Sequence, residues 1–287
     1  MIPHGLLKPR APDIHKGDLG HVLVVAGSAG LTGAAALCSL GALRAGAGLV
    51  TLGIPKSLQD VMAAKLTEVM TVPLPETPPR SLSLKALPEL LSLIERITVV
   101  AMGPGLSQHS ETKEVVRRLL PRLTKPTVVD ADGLNALAED LNVLKRLTLP
   151  VILTPHPGEM GRLARLSAAD VQRDRERITK EFAKTYGVVV VLKGHRSLVA
   201  NVDGELYGND TGNPGMATGG MGDVLTGMIA GLLGQGVSLF NAARLGVYLH
   251  GLAGDLAAEE IGEVGLIASD VLDRIPEALE QYQGLPT

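Results

Sequence analysis

Aromatic residues and cysteine are nearly absent from this sequence. Its 287 residues include two Phe, four Tyr and no Trp, so the hydrophobic core has to be built from aliphatic side chains. The single cysteine, Cys38, excludes an internal disulfide. A lone thiol is typical of proteins from a reducing compartment, which predicts a cytoplasmic location.

A strong excess of charge of either sign is also missing. The 27 basic and 30 acidic residues give a net charge of −3, and no basic tract or aromatic stacking platform stands out. Proteins that bind nucleic acids depend on such features, so we predict no nucleic-acid partner.

Uninterrupted apolar runs are missing as well. Two uncharged stretches, 22–43 and 224–243, are long enough to cross a bilayer, but each contains several glycines and polar residues. We interpret both as buried elements joined by turns and predict no membrane span. The N-terminal segment has no apolar core of the kind found in signal peptides.

What the sequence does contain is an alternation of β-branched runs with helical patterns. Continuous Val and Ile runs indicate strands that are covered on both faces, and strand–helix alternation indicates a parallel sheet between helices. We therefore predict an α/β fold, with residues 72–83 forming a loop inside one domain. The predicted strands are 21–27, 48–54, 97–103, 126–131, 150–155 and 188–194; the predicted helices are 32–46, 84–96, 111–123 and 168–186.

The stretch GNPGMATGGMGDVLTGMIAGLL, residues 212–233, concentrates glycines ahead of a helical pattern. Five glycines fall in its first twelve residues, and the carboxylate of Asp223 closes that segment. Glycine lets a backbone approach a ligand closely, and a helix N-terminus attracts phosphate. A lone Asp at this place would most simply cap the helix, but the glycines favour an anion-binding site.

Polar, turn-forming loops follow the predicted strands. They read AGSAGLTG, MGPGLSQ, DADGLNAL, TPHPGE and LKGHRS. Ligands of open parallel sheets gather at the carboxyl ends of the strands. Together with the glycine-rich stretch, these loops predict a binding site along that edge of the sheet.

These loops carry a resemblance to a known family. HKGDLG (15–20), AGSAGLTGAAAL (26–37), GPGL (103–106), DADGLNAL (130–137), TPHPGE (154–159), LKG (192–194) and GNPGMATGGMGDVLTG (212–227) resemble the ADP-dependent (S)-NAD(P)H-hydrate dehydratases of the ribokinase-like superfamily. The resemblance covers roughly residues 10–280. It implies a three-layer α/β/α sandwich around a mainly parallel sheet, with residues 1–287 as one domain.

The same resemblance implies an activity and its partners. Family members restore NADH or NADPH from the S-hydrate while ADP is converted to AMP and phosphate; the residues do not discriminate ADP from ATP as the donor. The resemblance further implies Mg²⁺, a homo-oligomer that is expected to be a tetramer, and cooperation with an NAD(P)H-hydrate epimerase. Many bacterial members carry that epimerase domain on the same chain. This sequence contains none, so the chain is either a stand-alone enzyme or a fragment.

The resemblance also assigns roles to residues. Asp223 is the expected catalytic base and a substrate contact, and Glu159 is expected to orient water on Mg²⁺. The expected contacts to the hydrate are Ala34, Gly105 and His156. The expected nucleotide-binding residues are Lys193, Gly194, His195, Arg196, Ser197, Asn213, Gly219, Gly220, Met221 and Gly222.

Each assignment has a simpler structural alternative. Lys193 could be a solvated strand end, and Asn213 an ordinary turn residue. His156 could be a plain loop residue, and Glu159 an acid favoured in the first turn of a helix. Ala34 and Gly105, taken together, could serve close helix–sheet packing.

For four further polar residues we favour a structural role over a functional one. For Asp130, Asp132 and Asn135, an Asx-turn with a helix cap is favoured over contact with substrate hydroxyls or water. His250 lies in an apolar helical pattern, and we interpret it as a core histidine with satisfied hydrogen bonds.

Two other function classes stay open at this level. A small-molecule kinase of the same superfamily, of the hydroxymethylpyrimidine or hydroxyethylthiazole type, would share the glycine–Asp loop. Such kinases usually have Asn where this chain has His156, and HKGDLG also argues against them. A non-catalytic nucleotide sensor is the second alternative, and the presence of Asp223 argues against it.

Overall fold

The computed structural model describes residue 2 and residues 5–284 of the chain. Its strands are His21–Val25 (β1), Leu49–Pro55 (β2), Met70–Leu74 (β3), Val99–Met102 (β4), Thr127–Val129 (β5), Ile152–Leu153 (β6), Val189–Leu192 (β7), Leu198–Ala200 (β8) and Leu206–Gly208 (β9). Its helices are Thr32–Arg44 (α1), Gln59–Lys65 (α2), Leu87–Ile94 (α3), Ser110–Leu119 (α4), Ala131–Glu139 (α5), Pro157–Ala164 (α6), Ala168–Arg173 (α7), Arg175–Tyr186 (α8), Met221–Gly234 (α9), Leu239–Ile261 (α10) and Ala268–Gln283 (α11).

All nine of these strands belong to one sheet, in the order β3-β2-β1-β4-β5-β6-β7-β8-β9. Neighbours from β3 to β7 pair in parallel, whereas β8 and β9 add an antiparallel edge. The chain first builds outward from β1 to β3 and then returns to place β4 on the other side of β1. The gap between β1 and β4 is therefore a switch point, where open α/β sheets commonly bind ligands.

Helices cover both faces of the sheet. Along β1, Val22 and Val24 enter the core beneath α1, α9, α10 and α11, whereas Leu23 and Val25 enter the opposite core beneath α3, α4, α5 and α8. This explains why the strands read as unbroken apolar runs. The predicted α/β/α sandwich with a mainly parallel sheet is confirmed.

Glycines bring the backbones of α1 and α9 into direct contact. A Cβ added to Gly227 would lie 2.0 Å from the Cys38 carbonyl oxygen, and one added to Gly41 would lie 2.6 Å from the Val224 carbonyl oxygen. The glycines in the two uncharged stretches thus serve close helix packing. No helix in the described part of the chain has the length and hydropathy of a membrane span.

Some predicted boundaries are wrong. The segment 72–83 was predicted as a loop, yet its first residues belong to β3, where Pro73 pairs with Ile54 of β2. Proline is tolerated there because β3 is an edge strand with a neighbour on one side only. The helix predicted at 168–186 divides at Asp174 into α7 and α8. The short elements α2, β8 and β9 were not predicted.

Candidate active site

Charged side chains from three neighbouring strand ends meet beside the start of α9. Asp130 follows β5, Glu159 lies just after β6, and Lys193 follows β7. Asp223 stands in the first turn of α9. Because parallel strands end at one edge of a sheet, residues far apart in the sequence converge there.

Lys193 is the centre of this charge cluster. Its Nζ lies 2.6 Å from Asp130 Oδ1 and 3.8 Å from Glu159 Oε2, and its side chain is only 17% exposed. Burial opposes the charge, but the two carboxylates outweigh it and hold the pKa of Lys193 above its usual value. The alternative of a solvated strand end is therefore wrong.

Asp130 is almost fully buried and accepts two hydrogen bonds. The second comes from Thr226 of α9, whose Oγ1 donates to Asp130 Oδ2 over 2.8 Å. Asp130 occupies the N-cap position of α5, but its side chain forms no capping bond, so the favoured interpretation as a cap is wrong. The next residue, Ala131, has a φ of 48°, a left-handed conformation of the kind stored at functional sites. Sequence reasoning missed Thr226, although it lies one turn beyond Asp223.

Asp223 is not a helix cap. α9 begins at Met221, and its N-cap is Gly220, which has a φ of 92°. Burial, and then the carboxylate of Asp130, raise the pKa of Asp223 to about 7, although Lys193 acts in the opposite direction. A carboxylate that titrates near neutral pH is suited to accepting a proton from a substrate.

Each glycine at the start of α9 has a different local environment. A Cβ at Gly222 would lie 3.1 Å from Lys193 Nζ, so a larger residue here would crowd the ammonium and make it shift. Gly220 adopts a positive φ, and its Cβ would lie 2.5 Å from Leu37 Cδ1. Gly219 has no atom within 4 Å of a Cβ and therefore borders open space.

A cavity of about 570 Å³ opens beside this cluster. Its walls include the β7–β8 loop, the 211–214 segment and the first turn of α9. Gly219 and Gly220 do not line it, but the other expected nucleotide-binding residues do: Lys193, Gly194, His195, Arg196, Ser197, Asn213, Met221 and Gly222.

Asn213 holds the glycine-rich loop in place. Its Oδ1 accepts from the Gly215 amide at 3.0 Å, and its Nδ2 donates to Asp255 Oδ1 at 3.0 Å. The same carboxylate of α10 accepts from the Gly212 amide at 2.8 Å. The side chain thus fixes a turn and also lines the cavity. Asp255 was not anticipated from the sequence.

His156 and Glu159 form the N-terminus of α6 together. The His156 amide donates to Glu159 Oε2 at 2.8 Å, and His156 Nδ1 accepts from the Gly158 amide at 3.0 Å. Burial, and then the charge of Lys193, lower the pKa of His156, so its half-exposed ring is neutral at pH 7. Burial raises the pKa of Glu159, whose side chain faces Lys193. Glu159 thus occupies the first turn of a helix, as its structural alternative stated, and also takes part in the charge cluster.

Ala34 and Gly105 meet at the switch point between β1 and β4. A Cβ at Gly105 would lie 3.1 Å from Ala34 Cβ and 2.8 Å from the Leu31 carbonyl oxygen. Ser28 Oγ donates to the Gly105 carbonyl oxygen at 2.8 Å. The two positions are close to each other, as a shared ligand would require, and close packing accounts for both. Neither lines the 570 Å³ cavity.

Asp132 and Asn135 stabilise the loops around the site. The Ser107 amide donates to Asp132 Oδ2 at 2.9 Å, and Asn135 Nδ2 donates to Asp132 Oδ1 at 3.1 Å. Arg162 of α6 then donates to Asn135 Oδ1 at 2.9 Å. This chain of bonds links the loop after β4 to α5 and α6, which agrees with a structural role.

His250 is buried, and one of its two ring nitrogens lacks a hydrogen-bond partner in the described part of the chain. It lines the cavity from α10, and its Nε2 has no hydrogen-bond partner among the described residues. Burial lowers its pKa to about 4, so the ring is neutral at pH 7. A backbone hydrogen bond at Met221 engages the ring, so the expectation of a histidine with satisfied hydrogen bonds is wrong for Nε2 only.

Within residues 5–284, no group of three or more His, Cys, Asp or Glu side chains is arranged to hold a metal ion. Glu159 is nearly buried and already accepts a backbone hydrogen bond. This donor set suits an ion such as Mg²⁺ only if the ion keeps several waters or binds phosphate oxygens.

Comparison with known proteins gives one consistent result. A family model described as NAD(P)H-hydrate dehydratase matches residues 22–277. The bifunctional NAD(P)H-hydrate repair enzyme of Moorella thermoacetica is 52% identical over 94% of this chain and 51% of its own length. The chain therefore spans about half the length of the bifunctional relatives it matches.

Two relatives are matched over most of their length. The ADP-dependent (S)-NAD(P)H-hydrate dehydratase of Neisseria meningitidis is 40% identical, with 94% of this chain and 88% of that protein covered. The crystal structure of the ADP/ATP-dependent NAD(P)H-hydrate dehydratase of Bacillus subtilis, co-crystallised with ATP/Mg²⁺, superimposes with a TM-score of 0.82 at 33% identity. That superposition covers 96% of this chain and 94% of that one.

Proposed function

This chain belongs to the NAD(P)H-hydrate dehydratase family, and on that premise we propose that it restores NADH and NADPH from their S-hydrates at the expense of a nucleotide phosphate. The donor is ADP, which is converted to AMP and phosphate, and ATP is the alternative donor. The observation that carries the proposal is the position of Asp223. This proton acceptor titrates near neutral pH beside a buried ammonium and a nucleotide-sized cavity.

The chemistry begins with a transfer of phosphoryl from the nucleotide to the hydroxyl of the hydrate. The oxygen–phosphorus bond to the leaving AMP breaks, a new one forms to the hydroxyl oxygen, and Asp223 accepts the hydroxyl proton. Phosphate then leaves as the ring nitrogen lone pair pushes out the carbon–oxygen bond. Loss of a proton from the adjacent ring carbon restores the reduced nicotinamide. Phosphorylation matters because hydroxide is a poor leaving group.

The residues divide into three tasks under this proposal. The amides of Gly219, Gly220, Met221 and Gly222 stabilise the moving phosphoryl group together with the ammonium of Lys193. The loop from Lys193 to Ser197 and the Asn213 turn bind the nucleotide. Ala34, Gly105 and His156 contact the hydrate, with His156 neutral and able to donate or accept a hydrogen bond.

Mg²⁺ is the expected companion of the nucleotide. When bound, it would neutralise charge on the phosphate oxygens. Glu159 would hold one of its waters, which agrees with the absence of a three-ligand cluster in the described residues. The B. subtilis structure was co-crystallised with ATP/Mg²⁺.

The wider setting is part of the same proposal. Residues 1–287 act as one dehydratase domain in the cytoplasm, in cooperation with an NAD(P)H-hydrate epimerase. The protein assembles as a homotetramer. Exposed Ile261, Val264 and Ile267, which cluster around the turn between α10 and α11, are available for subunit contacts. Light scattering on the purified chain tests the assembly.

Recovery of NADH absorbance tests the function. The protein is incubated with NADH hydrate and Mg²⁺, together with ADP or ATP in separate reactions. We expect absorbance to return in step with the release of AMP and phosphate when ADP is the donor. A phosphorylated hydroxymethylpyrimidine or hydroxyethylthiazole, formed without any NADH recovery, would identify a kinase instead. Binding of ADP without turnover would identify a sensor.

A further inference from the structure

In the loop between β7 and β8, residues 193–197, the backbone carbonyls and the backbone amides differ in their hydrogen bonding. Nearly all its carbonyl oxygens are occupied. Ser197 Oγ donates to the Gly194 carbonyl at 3.1 Å, and the Asn209 amide donates to the Ser197 carbonyl at 2.9 Å. The carbonyls of Leu192, Lys193 and His195 all accept from one side chain, Arg175.

Three consecutive amides of the same loop are free, whereas the Lys193 amide donates to the Pro155 carbonyl at 2.9 Å. Within the described residues, the amides of Gly194, His195 and Arg196 donate to no protein acceptor. Gly194 has a φ of 132° and Arg196 a φ of 54°, so the loop turns twice through the left-handed region. Consecutive amides in such a conformation form a concave anion-binding nest. This loop lines the 570 Å³ cavity.

Arg175, the first residue of α8, has no carboxylate partner in the described part of the chain. Its Nη1 donates to the His195 carbonyl at 2.5 Å, and its Nη2 donates to the Leu192 and Lys193 carbonyls at 3.2 and 3.4 Å. A half-buried guanidinium normally recruits an acid, and even the exposed Arg177, two residues later, pairs with Asp174 and Glu181. The two Nη groups of Arg175 instead donate only to backbone carbonyls, and its buried Nε has no partner among the described residues.

We propose that Arg175 is a positioning residue for the nucleotide. Its guanidinium holds the carbonyls of 192, 193 and 195, so that the amides of 194–196 are left free to bind a phosphate of the nucleotide. The positive charge behind the loop strengthens the same site. This inference rests on the proposed function only in taking ADP as the ligand.

Calorimetric titration of ADP into the purified chain tests the inference without any turnover. We expect Arg175→Gln to raise the Kd for ADP about tenfold, because it removes a charged donor to three carbonyls. Arg175→Lys keeps the charge but not the fork, and we expect a rise of about threefold. Arg177→Gln is the matched control from the same helix and should leave the Kd within about twofold of wild type.

Kinetics and hydrogen exchange separate positioning from general stability. Under the proposal, Arg175→Gln raises the KM for ADP while kcat at saturating ADP stays within about threefold, and bound ADP protects amides 194–196 from exchange less than in wild type. An unchanged Kd in folded Arg175→Gln would overturn the inference. If that variant does not fold, an Arg175→Lys protein that binds ADP as tightly as wild type would overturn it as well. Tight ADP binding by a wild type that fails to restore NADH would defeat the proposed function and leave this test intact.

Discussion

The two ends of the candidate site differ in the residues that form them: one consists of small uncharged residues and the other of charged side chains. At the switch point between β1 and β4, Ala34 and Gly105 lie against each other, and the polar contact is the uncharged bond from the Ser28 hydroxyl to the Gly105 carbonyl. Beside α9, Asp130, Asp223 and Lys193 form a charge cluster next to an open cavity. Under the proposed function, one end selects the hydrate by shape and the other acts on it by charge. Substitutions at the two ends should therefore fail in different ways.

The largest expected effect comes from Asp223. Asp223→Asn keeps the shape of the side chain but cannot accept a proton, so we expect NADH recovery to fall about 10³-fold. The Kd for ADP should stay within a few-fold of wild type, because this residue serves the transfer step. If Asp223→Asn kept wild-type turnover, Asp223 would not be the proton acceptor.

The pH profile sharpens the same point. Asp223 has to be ionised to act as a base, and its pKa is raised to about 7. We therefore expect kcat/KM to be flat above neutral pH and to fall about tenfold per unit below pH 7. A profile that stays flat down to pH 5 would mean that Asp223 keeps an ordinary pKa or does not act as the base. ADP binding measured across the same range is the control for loss of nucleotide affinity.

Glycine substitutions next to the cluster give a smaller effect. Gly222→Ala forces a Cβ to within 3.1 Å of Lys193 Nζ, so we expect the Kd for ADP to rise about tenfold as the ammonium shifts. Gly219→Ala places its Cβ in open space and should change the free energy of unfolding by less than about 0.5 kcal/mol. An unchanged Kd for ADP in folded Gly222→Ala would show that the crowding at Gly222 has no consequence.

The smallest effect on catalysis is expected at the switch point. Gly105 has a φ of +61° and no room for a Cβ, so Gly105→Ala should destabilise the fold by about 1–3 kcal/mol. The KM for the hydrate should rise several-fold while the Kd for ADP is unchanged. Gly33→Ala, with no atom within 4 Å of its Cβ, is the matched control from the same region. A loss of ADP affinity in Gly105→Ala would break the division between the two ends.

The layers of the fold and the edge of the sheet that holds the site could be predicted, because both depend on patterns within short stretches of sequence. Unbroken Val and Ile runs mark buried strands, and glycines mark the turn before α9. The resemblance singled out Lys193, but its ion pair with Asp130 could not be predicted, because the two residues lie 63 positions apart in the chain. Thr226, Asp255 and Arg175 were missed for the same reason. A polar side chain on a helix gives no sequence pattern that reveals its role. That role becomes visible only when the distant part of the chain that it bonds is known.

Short elements and single-residue conformations also escaped prediction. β8 and β9 contain three residues each, too few for a periodic pattern. The start of α9 at Met221, two residues before Asp223, depends on Gly220 adopting a φ of 92°. Sequence alone could not separate that arrangement from an aspartate cap, because both place an acid near a helix start.

The backbone contact between α1 and α9 sets a fixed spacing across the molecule. α1 carries Ala34 near its start and α9 carries Asp223 near its start, and Gly227 leaves the two helices no room to slide. The distance between Ala34 and Asp223, the two ends of the candidate site, is therefore set by two helices packed backbone to backbone. Surface loops can change in length during evolution without altering this distance. A single methyl group added at Gly227 would push α1 and α9 apart and change it.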